Sequence, residues 1–250
     1  MPALGRHQVL PVILLGLTGV FSYNILFFNG LKHVDAGRAS LIIANNPIVI
    51  SLFSALLFKE RLTGIKTVGI CLSVAGAMTV ISHGRMGDWS SYHMGVGEWM
   101  IMGCVASWVA YSLIGKTVMA GLSPLVSVTY SAFVGTLLLC GPAVYYGLGT
   151  TMFTYRAWDW LNLAYLGIFG TTIGFSWYYQ GIQHIGPMKA SVFINFVPIS
   201  AILLAYFILH EQITWSIGLG AAMVVSGVYM TNASEYIKQY AKIIYLRRRP

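Results

Sequence analysis

Acidic residues are scarce in this sequence: seven Asp and Glu in 250 positions, with charged residues of either sign at only 9%. A water-facing domain carries about 25% charged residues. So little polar material cannot cover a globule in water, and a soluble fold is excluded. No charge falls in the middle of a long apolar run, where it would cost about 2.5–3.5 kcal/mol on insertion scales and mark an ion relay. A buried carboxylate relay is therefore not expected; if transport is coupled, Glu98, His33 and His184 are the groups left for it. Cysteine is rare as well. Cys71, Cys104 and Cys140 lie in apolar runs without metal-like spacing, so they read as small packing residues rather than a disulfide framework. No HExxH helix, GxSxG elbow or P-loop is present, and the six histidines are scattered over loops and run edges. Catalytic residues, metal and other cofactors are not expected. The first apolar run lacks a small-residue cleavage site.

What the chain has in quantity is apolar length, at 57% hydrophobic residues and a mean hydropathy of +0.72. A spanning helix needs roughly 20 predominantly apolar residues. Eight segments qualify: 9–31, 38–58, 64–82, 96–118, 123–147, 159–181, 187–209 and 213–233. A barrel would show alternating segments of about ten residues instead. The expected fold is an all-α polytopic membrane protein of about eight transmembrane helices.

Net charge is +8. The nucleic-acid motifs that could use it are missing, so the lipid bilayer is the expected partner and nucleic acid is not. An even number of spans puts both termini on one side. That side carries eleven Lys and Arg against four (Lys32, Arg38, Arg85 and Arg156) on the other. The positive-inside rule then makes both termini cytoplasmic in a multi-pass protein of the cell (inner or plasma) membrane. Trp89, Tyr92, Trp99, Tyr155, Trp158, Trp160 and Trp215 map near the outer interface as an aromatic belt. Residues 234–250 read as a basic amphipathic tail on the inner surface.

One phrase occurs twice. ASLIIANNPI at 39–48 returns as ASVFINFVPI at 190–199, a shift of 151 positions. The same shift pairs Gly16 with Gly167, Gly19 with Gly170, Gly30 with Gly181, His33 with His184, Pro47 with Pro198 and Glu60 with Glu211. It also pairs Gly69 with Gly220 and Gly76 with Gly227. Uncommon residues matched across three consecutive helices make an internal repeat. Five spans separate the two starts, so the unit is inserted upside down the second time. Inverted repeats place a site near the midplane between the halves, and rocking alternates access to it.

The segments GLKHVDAGRASLIIANNPIVISLFSALLFKERLTGIKTVGICLSVAGAMTVIS (30–82) and GIQHIGPMKASVFINFVPISAILLAYFILHEQITWSIGLGAAMVVSGVYM (181–230) carry the features of one family. The chain resembles the EamA-like transporters of the drug/metabolite transporter superfamily. That resemblance implies ten helices, five per repeat. It divides this chain into an N-terminal repeat over 1–85 with three helices, a five-helix repeat over 95–233 and the tail. Two further helices are expected before residue 9, and the resemblance makes them part of the cavity wall. It also implies transport, often export, of amino acids, related metabolites or drugs.

Polar groups inside the spans mark the candidate site. In hydrocarbon an unpaired polar group costs several kcal/mol, so Asn45, Asn46 and Asn195 are expected to face protein or a cavity. Pro47 and Pro198 are expected to kink their helices and free a carbonyl. Tyr23 and Asn24 on the first span, Trp108 and Tyr111 on the fourth, and Ser176, Trp177 and Gln180 on the sixth add aromatic walls and amides suited to an amphipathic small molecule. Helix packing alone explains the same residues, and that alternative stays open. Small-residue stripes Gly69/Ser73/Ala77 and Gly218/Ala222/Ser226 suggest close packing or a homodimer face. The functional expectation is a secondary transporter, an exporter of small metabolites. The alternative is a non-transporting membrane remnant or an accessory or binding membrane protein.

Overall fold

Inside hydrocarbon every backbone N–H and C=O must be satisfied within the chain, which leaves helices as the solution for long apolar runs. A computed structural model describes residues 4–34, 36–81, 95–197, 199–200, 207 and 215–247, of which 36–38, 41, 80–81 and 234–247 are described by backbone alone. Pro198, Glu211, Arg85, Trp89, Tyr92, Arg248 and Arg249 lie outside the described residues. All regular structure among the described residues is helical. The main elements are α1 (Arg6–Gly30), α2 (Ala36–Ile43), α3 (Asn46–Phe58), α4 (Gly64–Ile81), α5 (Val96–Val118) and α6 (Pro124–Tyr145). They continue with the short α7 (Leu148–Thr151), α8 (157–185), α9 (Pro187–Val192) and α10 (Trp215–Arg247). Arg6–Gly30, Val96–Val118, Pro124–Tyr145 and Trp215–Ala233 are long and apolar enough to cross a membrane; Asn46–Phe58 and Gly64–Thr79 are apolar but shorter. The chain is an all-α polytopic membrane protein.

Local chemistry sets the helix ends. Ser123 caps α6 by accepting the Val126 N–H at 3.4 Å, and Pro124 takes the first position, where a missing N–H costs nothing. Gly186, at φ 83°, ends α8 in a conformation that a Cβ would strain, and Pro187 opens α9. Three features depart from the simple run of spans. The second span breaks at Ala44–Asn45 into α2 and α3, and the seventh passes into a 3₁₀ turn at Phe193–Asn195. α1 and α8 each contain a π-helical stretch, Gly16–Ser22 and Leu166–Ile173, at equivalent places in the repeat. The last span does not stop before the tail. Residues 228–247 hold neither Gly nor Pro, and α10 runs unbroken to Arg247.

The chain forms two compact units, Met1–His33 with Val96–Pro187 and Val34–Gly95 with Met188–Pro250. Each draws helices from both copies of the repeat.

In the first unit α1 lies against α5 and α6. Its glycines make the approach possible: a Cβ on Gly16 would sit 2.7 Å from Cβ of Val134, and Gly19 lies under the Tyr111 ring. The Gln8 and Gln183 side-chain amides both donate to the turn after α5, to Gly121 O at 3.3 Å and to Met119 O at 3.5 Å. The later part of α8 packs on α5 and α6. Its earlier part is bare: every residue from 157 to 170 is exposed.

In the second unit α4 and α10 form the dominant contact. A Cβ on Gly69 would lie 2.8 Å from the Gly227 carbonyl oxygen, and one on Gly76 would lie 2.7 Å from that of Gly220. The pairing is antiparallel and reciprocal, because Gly227 is the counterpart of Gly76 and Gly220 that of Gly69. Contacts of residue i with j′ and of j with i′ are the signature of a two-fold axis. Here the axis runs between two copies of the same helix pointing in opposite directions. Gly69, Ser73 and Ala77 are used up in this packing, and Ser73 and Ala77 are 0% exposed. Gly218, Ala222 and Ser226 face outward. Ala44, Ile70, Ala77, Met188, Val192, Ile199, Val224 and Val228 form the apolar core of this unit.

Candidate functional site

In the first unit, three helices bring helically spaced aromatics together. Tyr23 and Phe27 come from α1, Trp108, Tyr111 and Ser112 from α5, and Phe175, Tyr178 and Tyr179 from α8. Trp108 is the hub, with ring centroids 5.4 Å from Tyr23, 5.5 Å from Tyr111, 5.2 Å from Phe175 and 5.3 Å from Tyr178. Such spacings suit offset and edge-to-face ring contacts. The hydroxyls are engaged. Tyr179 donates to the Tyr111 carbonyl at 3.0 Å, Ser112 and Tyr178 share a contact of 2.9 Å, and Tyr111 lies 3.4 Å from Ser131 Oγ. Tyr111 and Tyr179 are fully buried, whereas Tyr23, Trp108 and Tyr178 are partly exposed at the cluster margin.

Four of the sequence-derived residues fall in or beside this cluster: Tyr23, Trp108, Tyr111 and Ser176, the last buried with no hydrogen-bond partner for its Oγ among the described residues. Asn24 is held to its own helix, its Nδ2 donating to the Val20 carbonyl at 2.6 Å. Trp177, at 70% exposure, and Gln180, also exposed, stand on the opposite face of α8. Phe27, Phe175 and Tyr178 were not singled out by the sequence reading. Helical spacing was the signal that could have found them: Phe27 is i+4 from Tyr23, Phe175 is i−4 from Tyr179, and Tyr178 is i+3 from Phe175.

In the second unit the asparagines sit at the helix breaks. The Asn45 N–H bonds Ile42 O at 3.2 Å, an i−3 contact, and Ile48 N–H returns to Asn45 O at 3.0 Å, so the chain tightens before α3 resumes. Pro47 has no N–H to give to the carbonyl of Ile43. Asn45 is half-buried, and its Nδ2 reaches Ile42 O at 3.4 Å. Asn46 is 2% exposed, and with Ser51 and Ser54 it forms a buried polar face on α3. Asn195 ends the 3₁₀ turn at 1% exposure, and its Nδ2 donates to Ser73 Oγ at 3.0 Å. Interhelical hydrogen bonds of this kind average only about 0.6 kcal/mol in membranes. The Oδ1 atoms of Asn46 and Asn195 and the hydroxyls of Ser51 and Ser54 have no hydrogen-bond partner among the described residues. A buried polar atom left so costs about 1–3 kcal/mol. All four lie in the second unit. Glu98 is buried in the first turn of α5, and His33 and His184 are exposed at helix ends. No cluster of His, Cys, Asp and Glu suited to a metal occurs among the described residues.

Several similar proteins are named as transporters or exporters. A transporter named YyaM and described as uncharacterized, from Bacillus subtilis (strain 168), is 25% identical over 94% of this chain and 77% of its own length. A probable terminal-alkyne amino-acid exporter from Streptantibioticus cattleyicolor is 28% identical over 91% of this chain and 74% of its own. A protein solved by crystallography shares the fold, with a TM-score of 0.70 and 21% identity over 91% of this chain and 78% of that one. The EamA-like transporter family model matches residues 2–82 and 95–233. Helix breaks in both copies, buried asparagines at those breaks and this match over nearly the whole length lead to one conclusion: the chain belongs to the EamA-like transporter family.

Proposed function

We propose that this chain is a secondary transporter in the cell membrane, with both termini cytoplasmic, that exports small amphipathic metabolites by alternating access. The observation that carries the reading is the pair of helix interruptions that overlap across the repeat, at 44–45 and at 193–195 (the counterparts of 42–44), each bearing an asparagine at or beside it. Discontinuous helices in inverted repeats are where such transporters hold their cargo. Asn45, Asn46 and Asn195 would supply polar contacts. Within the first unit, and as a separate candidate contact, Tyr23, Trp108 and Ser176, with Tyr111 behind them, would meet an apolar or aromatic group. Asn24, Trp177 and Gln180 belong to the same proposal as residues that reach substrate in another state of the cycle. Pro47 and Pro198 would fix the breaks. Amino acids are the first substrate class to try, because one relative is named an amino-acid exporter. The Gly218/Ala222/Ser226 stripe, open on the outside of α10, is the surface for a homodimer.

Counterflow in liposomes tests this. Vesicles preloaded with unlabelled neutral amino acids should accumulate labelled ones, and Asn46→Leu and Asn195→Leu should each slow uptake by tenfold or more. Repeating the assay across pH and sodium gradients identifies a coupling ion. Labelling from either side of the membrane tests the orientation: cysteines at Gly87 and Ser234 should react from opposite faces. Reaction of both from one side would remove the inverted arrangement and the pathway with it. The bare 157–170 face favours a second reading, an accessory or non-transporting membrane protein whose function is to bind another. Vesicle uptake no faster than in empty liposomes, for every solute tried, selects that reading.

A further inference from the structure

The two copies share a scaffold but differ in one buried contact. Asn195 and Ser73, 1% and 0% exposed, are joined by a hydrogen bond of 3.0 Å. The repeat counterparts of this pair are Ala44 and Val224, both buried in the apolar core of the same unit. Packing alone is therefore met by a methyl and an isopropyl group where one copy has them. The amide and hydroxyl are not required by the scaffold, and a buried polar pair is usually no more stable than an apolar one of similar volume. The effect of the bond lies in what it fixes. With its Nδ2 bonded to Ser73, the Asn195 amide can turn only by breaking that bond. Its other end, Oδ1, is left buried and, among the described residues, without a partner.

We propose that Ser73 is a positioning residue that locks the Asn195 amide, so that its free oxygen accepts a hydrogen bond from an N–H or O–H group of the substrate. This rests on the reading of Asn195 as a substrate contact. It also narrows the substrate. Asn46 Oδ1 is a second unpartnered acceptor, and the Ser51 and Ser54 hydroxyls can accept as well. Among the described residues, the second unit buries no carboxylate. A lone ammonium there would be an unpaired buried charge, which is strongly disfavoured. The donor belongs to a neutral or zwitterionic molecule that brings its own counter-charge.

The test compares L-leucine with its N,N,N-trimethyl betaine, which keeps the zwitterion and loses the N–H donors. Binding to the purified full chain is read by calorimetry and by thermal shift. L-leucine should bind the wild-type protein at least tenfold more tightly than the betaine. Ser73→Ala should weaken leucine about fivefold or more, and Asn195→Ala at least as much. The double variant should be no weaker than Asn195→Ala, because Ser73 acts through Asn195. Val224→Ser, at the mirror position, should leave binding unchanged. Ser73→Cys, close in size, serves if the alanine variant does not fold. Equal binding of leucine and betaine, no binding of leucine to wild type, or full additivity of the two alanine variants overturns the proposal. Binding without counterflow sinks the transport reading and leaves this one standing. Counterflow of leucine untouched by Ser73→Ala sinks this one alone.

Discussion

Gly19 and Gly170 hold the same place in the repeat. One lies under the ring of Tyr111, and the other has no atom within 4 Å of where a Cβ would be. Gly16 and Gly167 repeat the contrast, the first pressed on Val134 and the backbone of Ser131, the second open. α1 and the early part of α8 are thus built from one phrase and placed in different surroundings. The helix and its π stretch form in both, so they belong to the phrase itself. The packing does not, so it belongs to the helices that flank α1. A glycine pair at this spacing is a socket, and here one socket is filled and its twin is empty.

The largest effect that would sharpen this comparison lies at the α4–α10 seam, where the symmetry is intact. Gly227→Leu should cost about 3 kcal/mol or more, since it drives a side chain into the backbone of α4. Gly218→Leu, on the open side of the same helix, should change stability by no more than about 0.5 kcal/mol. Thermal unfolding of the purified protein measures both. Next come the unequal twins. Gly19→Leu should cost about 2–3 kcal/mol by overpacking against Tyr111, and Gly170→Leu less than about 0.5 kcal/mol. Equal losses at both would mean that the 157–170 face is covered in the protein as purified, and the comparison would collapse. A smaller effect belongs to Tyr179→Phe, which removes one buried hydrogen bond to the Tyr111 carbonyl and should cost about 1 kcal/mol. Trp177→Leu should cost least, within about 0.5 kcal/mol, because its ring is on the exposed face.

Much of this was legible in the sequence for plain physical reasons. Apolar run length gave α5 at its observed ends and α6 within two residues of its own. Asn-Asn-Pro marked the second span as irregular, with a kink expected at Pro47, and the structure breaks that span at Ala44–Asn45. The repeat put glycines at equivalent places on α4 and α10, but that these two helices meet in a reciprocal seam needed the packing itself. Other features were hidden. A π stretch has the same composition as an α stretch and is visible only in its backbone bonding to residue i−5; the Thr172 hydroxyl also reaches back five residues, donating to the Gly167 carbonyl at 3.0 Å. That stretch also shifts the phase of everything after it. Counting α-helical turns from Asp159 therefore does not tell which of Ser176, Trp177 and Gln180 share a face. Nothing in the sequence sets Phe175 and Tyr178 apart from Trp177 beside them; only the packing around Trp108, held mainly by rings, does so.

α10 continues for 33 residues, about 50 Å at 1.5 Å per residue, against a hydrocarbon core of about 30 Å. Its fulcrum is the glycine contact with α4, and roughly 30 Å of stiff rod lies beyond Gly227. Simple trigonometry makes that rod an amplifier: a tilt of about 10° at the fulcrum carries the far tip through roughly 5 Å. A motion too slight to see among packed side chains would be written large at the end of the pointer, where a spin label or a dye can follow it in water.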